Sequence, residues 1–391
     1  MADAPSAPTI PRLAERAGAM MRAGALAAWD VPAEALAMRR DGQDIILLTL
    51  GDPEGPPHPA IIEAAQAALA AGRTHYAPLA GEPALRAAVA ERIGCAAACV
   101  TIVPGARHGV FAAIQMLAGP GDEVILTDPH YATYPGVVAA SGARAVPIRV
   151  RAADFGLDRE AVAAAVSPAT RALLFSSPAN PTGAALDAAD FAFLADLCRA
   201  RNLWLVVDET YRDFAFASAH VSARDAAAAE RTVVAGTLSK SHAMTGFRIG
   251  WVAGPSGFAQ AMEEWCAAAT FGVAQFVQDA GVAALALPDG ALAGYRAGFR
   301  ERAALVVARL NRIPGVAARM PDGGMFVMAD VRAVDADDVA LARRLLRTAG
   351  VAVVPGSGFG PGGSGHLRLS LTPPVETLDR ALDAIARALA R

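Results

Sequence analysis

From about residue 100 onward, short apolar runs alternate with helical stretches, and this alternation restricts the fold more than any other feature of the chain. Val124-Ile125-Leu126, Ala172-Leu173-Leu174-Phe175 and Leu203-Trp204-Leu205-Val206-Val207 lack the polar alternate positions of a strand with one wet face. Such runs fit strands covered on both faces, in a mostly parallel sheet joined by helical crossovers. Residues 100–285 therefore read as a large α/β region. Downstream, a long helix, a Gly-turn, short strands and a last helix read as a smaller α+β unit.

Upstream, residues 1–12 read as a loose arm and residues 13–40 as helical. Ile45 to Leu50 reads as a short strand ending at Gly51, followed by a Pro-rich loop and two helices near 60–71 and 83–93. The expected division is an N-terminal arm and helix over 1–44 that joins the small domain, a large domain over 45–285 and a small domain over 286–391.

With 54% hydrophobic and 19% charged residues, the 391-residue chain can build two cores and does not read as disordered. Net charge is -3 with no basic run, so nucleic acid and anionic membrane surfaces are poor partners. No apolar stretch reaches the roughly 18 residues of a membrane span, and Met1 to Pro11 lacks the pattern of a signal peptide. Four cysteines without a C-x-x-C pair fit a reducing, cytoplasmic setting. Seven scattered histidines show no metal-ligand spacing. Gly358-Phe359-Gly360-Pro361-Gly362-Gly363 matches G-x-G-x-x-G, but a strand pattern follows it instead of a helix. It reads as a loop, not a dinucleotide site.

In open α/β sheets ligands bind beyond the carboxyl ends of the strands, so the residues after each apolar run carry the functional signal. Val100 to Val103 leads into Pro104-Gly105-Ala106-Arg107, a small-residue turn opening a helix whose free N–H groups suit a phosphate. After Val124 to Thr127 comes Tyr131, a stacking platform or a packed aromatic. After Phe175 comes Asn180, set between two prolines. After Val207 come Asp208 and Tyr211; an aspartate closing an apolar strand needs a cation or strong donors. After Thr232 to Gly236 come Thr237, Lys240 and Arg248. A lysine beside a buried strand suits covalent chemistry on a carbonyl, although a strand-end lysine reaching solvent fits as well. Together these five strand ends describe a pocket for an aromatic phosphate carrying a ring nitrogen and an aldehyde.

At this point the chain resembles the fold-type I, class I/II aminotransferases that depend on pyridoxal 5'-phosphate. Asn180-Pro181-Thr182-Gly183, Asp208-Glu209-x-Tyr211 and Ser239-Lys240 with Arg248 carry the resemblance. It implies a seven-stranded, mostly parallel sheet plus a smaller α+β domain. It also implies a ping-pong transfer of the α-amino group of an L-amino acid to a 2-oxoacid, through a Schiff base on Lys240. By the same resemblance Asp208 pairs with the ring nitrogen, Tyr211 and Asn180 bond the ring hydroxyl and Tyr131 stacks on the ring. Ala106, Arg107, Thr237 and Arg248 hold the phosphate, and Arg368 grips the substrate carboxylate near Gly51. Tyr76 reaches the phosphate of a neighbouring subunit, which implies a homodimer with shared sites. Pro181 follows a cis bond.

Arg107 departs from the small or polar residues common at its position, and no arginine stands in residues 268–276, where aspartate-specific members place one. Some stretches look like those of arginine:pyruvate transaminases. Asp52 or Glu54 then either faces a guanidinium or lies on the loop surface. A β-lyase, a decarboxylase or an arginine oxidase shares the same anchors, and a more remote alternative is an aminotransferase-like regulator.

Overall fold

The computed structural model describes residues 12–24, 27–216, 220–226, 228–288 and 290–390. The arm expected over 1–12 lies, apart from Arg12, outside the described residues.

Thirteen strands are described: β1 Ile46–Leu47, β2 Val100–Val103, β3 Glu123–Asp128, β4 Arg144–Arg149, β5 Thr170–Ser176, β6 Trp204–Asp208 and β7 Thr232–Thr237, then β8 Gly250–Ala253, β9 Ala317–Ala318, β10 Phe326–Asp330, β11 Val351–Ala352, β12 Val354–Pro355 and β13 His366–Ser370. Seven of them form one sheet in the order β2-β8-β7-β6-β5-β3-β4. Its pairings are parallel except those of β8, which runs antiparallel to both β2 and β7. Strand β7 is buried at all six positions, its apolar centre Val233 to Gly236 flanked by two buried threonines. Apolar cores cover the sheet on both faces: Phe175, Leu205 and Val234 lie in one, and Leu174, Val206 and Val233 in the other. Each such side chain contributes about 1.5–3 kcal/mol by leaving water.

The second sheet, β12-β13-β10-β9, is antiparallel and shares a core with the long helix Ala293–Leu310 and the final helix Val375–Leu389. The N-terminal segment joins this C-terminal core. Strand β1 pairs in parallel with β11, and Ile45 and Leu48 are buried in the C-terminal core. The segment 45–48 was expected in the large domain, but its apolar side chains find their partners among residues far along the chain. The helix Asp30–Arg40 adds Val31 and Ala35 to the same core.

The glycine-rich segment 358–363 forms two short 3₁₀ turns that lead into β13, not into a helix. The Gly362 N–H donates to Asp128 at 2.6 Å, tying this loop to the end of β3. Among the described residues, no helix is long and apolar enough to cross a membrane.

Candidate active site

A cavity of about 510 Å³ opens at the carboxyl ends of the large sheet's parallel strands. Of the residues singled out in the sequence, Gly51, Ala106, Arg107, Tyr131, Asn180, Asp208, Tyr211, Thr237, Lys240, Arg248 and Arg368 all line it. Tyr76 does not. Its side chain is 79% exposed, with its ring edge-on to Phe271 at 4.8 Å.

At one end of the cavity the helix Ala106–Leu117 begins without a side-chain cap, so its first N–H groups lack intrahelical acceptors. Gly105 precedes it at φ +88°, and a Cβ there would stand 2.5 Å from the Arg248 guanidinium. That guanidinium is held by the Thr245 carbonyl at 2.8 Å and the Pro104 carbonyl at 3.1 Å. Arg248 itself adopts a left-handed φ of +53°, an uncommon conformation for a side chain of this size. Thr237 Oγ donates to the Ile249 carbonyl at 2.6 Å and accepts from the Ser239 N–H at 3.1 Å. Arg107 reaches across to the Tyr131 hydroxyl, with its guanidinium 5.2 Å from the ring centroid.

Asp208 closes β6. Its Oδ1 accepts from the Thr210 N–H at 3.0 Å and the Thr210 hydroxyl at 2.6 Å, and its Oδ2 accepts from the Tyr134 hydroxyl at 2.9 Å. Burial nonetheless raises its pKa above the usual carboxylate range, against the pull of those donors and of Arg107. Tyr134 and Thr210 were not singled out in the sequence. The Asp-x-Thr spacing was a usable signal for Thr210, because such a hydroxyl turns back two residues. Tyr134 comes from a different strand end and carried none.

Lys240 stands just beyond β7, and its Nζ donates to the Gly51 carbonyl at 2.7 Å. Burial pulls its pKa down to about 8, helped by Arg107 and Arg248 and opposed by Asp52. A Cβ on Gly51 would lie 2.6 Å from the Phe326 ring, so the loop passes close against the second domain's strand.

Arg368 lies on β13, between β12 and β10, and is 1% exposed. It donates to Asn180 Oδ1 at 2.9 Å and to the Thr49 carbonyl. The ring centroids of Phe326 and Phe359 lie 4.1 and 4.6 Å from its Cζ, and its Nε has no hydrogen-bond partner among the described residues. Burial brings its pKa down to about 9, so it stays cationic at neutral pH. Asn180 is fixed by the turn after β5, with a cis Asn180–Pro181 bond as the resemblance implied. Tyr211, beside Asn180, is fully buried, and desolvation pushes its phenol pKa up.

Among the described residues the cavity thus holds a buried carboxylate, Asp208, with no salt bridge, and a buried cation, Arg368, with no anion. Buried charges of this kind are retained where a ligand supplies the missing partners.

The sequence falls into a described family to match. Residues 43–385 match the family described as aminotransferase class I and II. An arginine–pyruvate transaminase of Pseudomonas aeruginosa is 43% identical over 368 residues, covering 92% of this chain and 94% of that one. The aspartate/prephenate aminotransferase of Thermus thermophilus is 36% identical, covering 92% of this chain and 95% of that one. The solved structure of Thermus thermophilus aspartate aminotransferase with maleate superposes at a TM-score of 0.90 and 35% identity, covering 97% of this chain and all of that one. The chain belongs to the class I and II aminotransferase family. It is an aminotransferase, an enzyme that exchanges an amino group between an amino acid and a 2-oxoacid.

Proposed function

We propose that this aminotransferase uses pyridoxal 5'-phosphate, held at the ends of the parallel strands. The observation that carries the reading is the pair of buried charges without a counter-charge among the described residues, Asp208 and Arg368, lining one cavity with a partly neutral Lys240. The residues fit the group. Uncapped N–H groups of Ala106 and Arg107, with Arg248 and Thr237, suit its phosphate. Tyr131 offers a ring face, Asp208 a carboxylate for the ring nitrogen, and Asn180 and Tyr211 donors for the ring hydroxyl. When bound, the cofactor supplies an electron sink for the charge left at Cα.

The chain's own residues do the rest. Lys240 would tether the cofactor through its side-chain nitrogen and, when that nitrogen is free, would take and return the Cα proton. Its lowered pKa provides a useful fraction of neutral amine near neutral pH. Arg368 binds the α-carboxylate of each substrate in turn, with Asn180 fixing the guanidinium. Phe326 and Phe359 keep water from that ion pair.

We read the chain as a large cofactor-holding domain to about residue 285 and a small domain over 286–390, which also takes in residues 30–48. The assembly we propose is a homodimer, in which Tyr76 enters the site of the partner; the exposed Tyr76–Phe271 pair supports it. Free cysteines throughout support a cytoplasmic setting. For the donor, the absence of arginine from residues 268–276 disfavours a second carboxylate.

The test is spectroscopic. Adding an amino donor alone should shift the cofactor's visible absorbance, and adding a 2-oxoacid should restore it. Ammonia released without a 2-oxoacid would instead place the enzyme among the lyases or oxidases.

A further inference from the structure

Most charges in the cavity have a counter-charge in the reading above. Arg107, Arg248 and the helix N-terminus face phosphate, Arg368 faces the substrate carboxylate and Asp208 faces the ring nitrogen. Lys240 bonds the cofactor. Asp52 is the charge left over.

Asp52 follows Gly51, whose carbonyl accepts the Lys240 amine, so its side chain springs from the chain one residue beyond the point where substrate Cα must come. Its Oδ1 accepts from the Thr245 hydroxyl at 2.8 Å, and Oδ2 accepts no hydrogen bond among the described residues. It lines the cavity although the residue as a whole is solvent-accessible, so it stands at the mouth. Apolar lining of the same cavity comes from Trp29, Leu50 and Phe326, with Leu50 just before Gly51 in the chain and the Phe326 ring against Gly51. The cavity thus combines apolar lining with one carboxylate that the reading above leaves without a partner. Glu54, the other acidic residue of this loop, is exposed and does not line the cavity.

We propose that Asp52, oriented by Thr245, is the side-chain specificity residue, and that its free oxygen pairs with the cationic end of an extended donor side chain such as a guanidinium. This rests on the aminotransferase reading, with Arg368 on the α-carboxylate and Lys240 at Cα. The apolar lining takes the methylene stem, and the carboxylate at the mouth takes the charge where it retains part of its hydration. An acidic donor brings like charge to the same place, and a neutral one forfeits the ion pair. Asp52 also attracts the Lys240 ammonium, and that rival role predicts an effect that does not depend on the donor's side chain.

The experiment is the single-turnover half-reaction of the holoenzyme with L-arginine, L-citrulline and L-norvaline. Citrulline is the neutral counterpart of arginine, and norvaline keeps only an uncharged stem. The expected result is a preference for arginine over citrulline of about tenfold or more in kcat/KM, collapsing to within about threefold in Asp52→Asn and partly kept in Asp52→Glu. An arginine-to-citrulline ratio near one in the wild type, or one unchanged in Asp52→Asn, overturns the proposal. Equal losses on all three donors assign Asp52 to Lys240 alone and also overturn it. A wild-type holoenzyme inert to every amino acid tried sinks the aminotransferase reading itself, and this proposal with it.

Discussion

The Tyr134 hydroxyl donates to Asp208 Oδ2 at 2.9 Å, joining the start of the helix Tyr134–Ser141 to the end of β6 in the lining of the cavity. On the proposed cofactor reading Asp208 has to stay ionised to hold a cationic ring nitrogen, yet burial favours its neutral form. Removing one of three donors tilts that balance. Tyr134→Phe is therefore expected to lower kcat/KM roughly tenfold and to move the acid limb of the pH profile upward. A profile whose acid limb stays in place would show that Tyr134 is only packing.

Arg368 and Asn180 share a hydrogen bond at 2.9 Å, and besides a second bond to the Thr49 carbonyl the guanidinium lies against aromatic rings. An unpaired buried cation gains most from a ligand that brings an anion. A saturating 2-oxoacid should raise the Tm of the wild-type protein but not of Arg368→Met, whose kcat/KM should fall about tenfold to a hundredfold. Equal thermal shifts in the two proteins would move the carboxylate site elsewhere.

The large sheet and its strand-end residues were legible because the signal is local: an apolar run, then a polar stop, as at Val207–Asp208 and Gly236 to Lys240. Arg368 was legible only through the resemblance. In His366-Leu367-Arg368-Leu369-Ser370 the period-two pattern reads as a half-wet strand, but β13 is an inner strand and the guanidinium is 1% exposed. Ile45 to Leu50 was legible as a strand, but the partner of β1 was not. Two residues carry no register of their own, and their partner β11 lies at the far end of the chain. Tyr134 escaped because nothing near it in sequence shows that Asp208 is its acceptor.

Lys240 sets a pH dependence whose sign is fixed. Burial favours the uncharged amine, so the folded pKa falls from the ordinary 10.5 to about 8. In the cofactor-free protein, acylation of Lys240 should rise with pH and level off above about 8, whereas an exposed lysine keeps gaining reactivity to about 10.4. The same shift means that the folded form binds fewer protons than the unfolded chain between those two values. Lys240 therefore makes the cofactor-free protein gain stability as pH rises through that window. Asp52→Asn removes an attraction for the ammonium and should lower the labelling midpoint further. Peptide mapping of the acylated lysine against pH gives the midpoint, and a value at or above 10 would mean that the amine is solvated.

Tyr76 offers a test of shared sites that does not depend on seeing the assembly. Its side chain is 79% exposed and lies outside the cavity of its own chain, so on the dimer reading its effect is felt in the partner's site. Lys240→Ala should reduce turnover by a factor on the order of a thousand or more and remove the visible absorbance of the lysine-bound cofactor. Tyr76→Ala should weaken cofactor binding without touching Lys240. If each site draws Lys240 from one chain and Tyr76 from the other, a mixed dimer of the two variants holds one doubly altered site and one intact site. Random reassociation of equal amounts then restores about a quarter of wild-type activity, because half the dimers are mixed and half their sites are whole. If both residues serve the same chain's site, every site in the mixture carries one lesion, and activity stays at the average of the two parents.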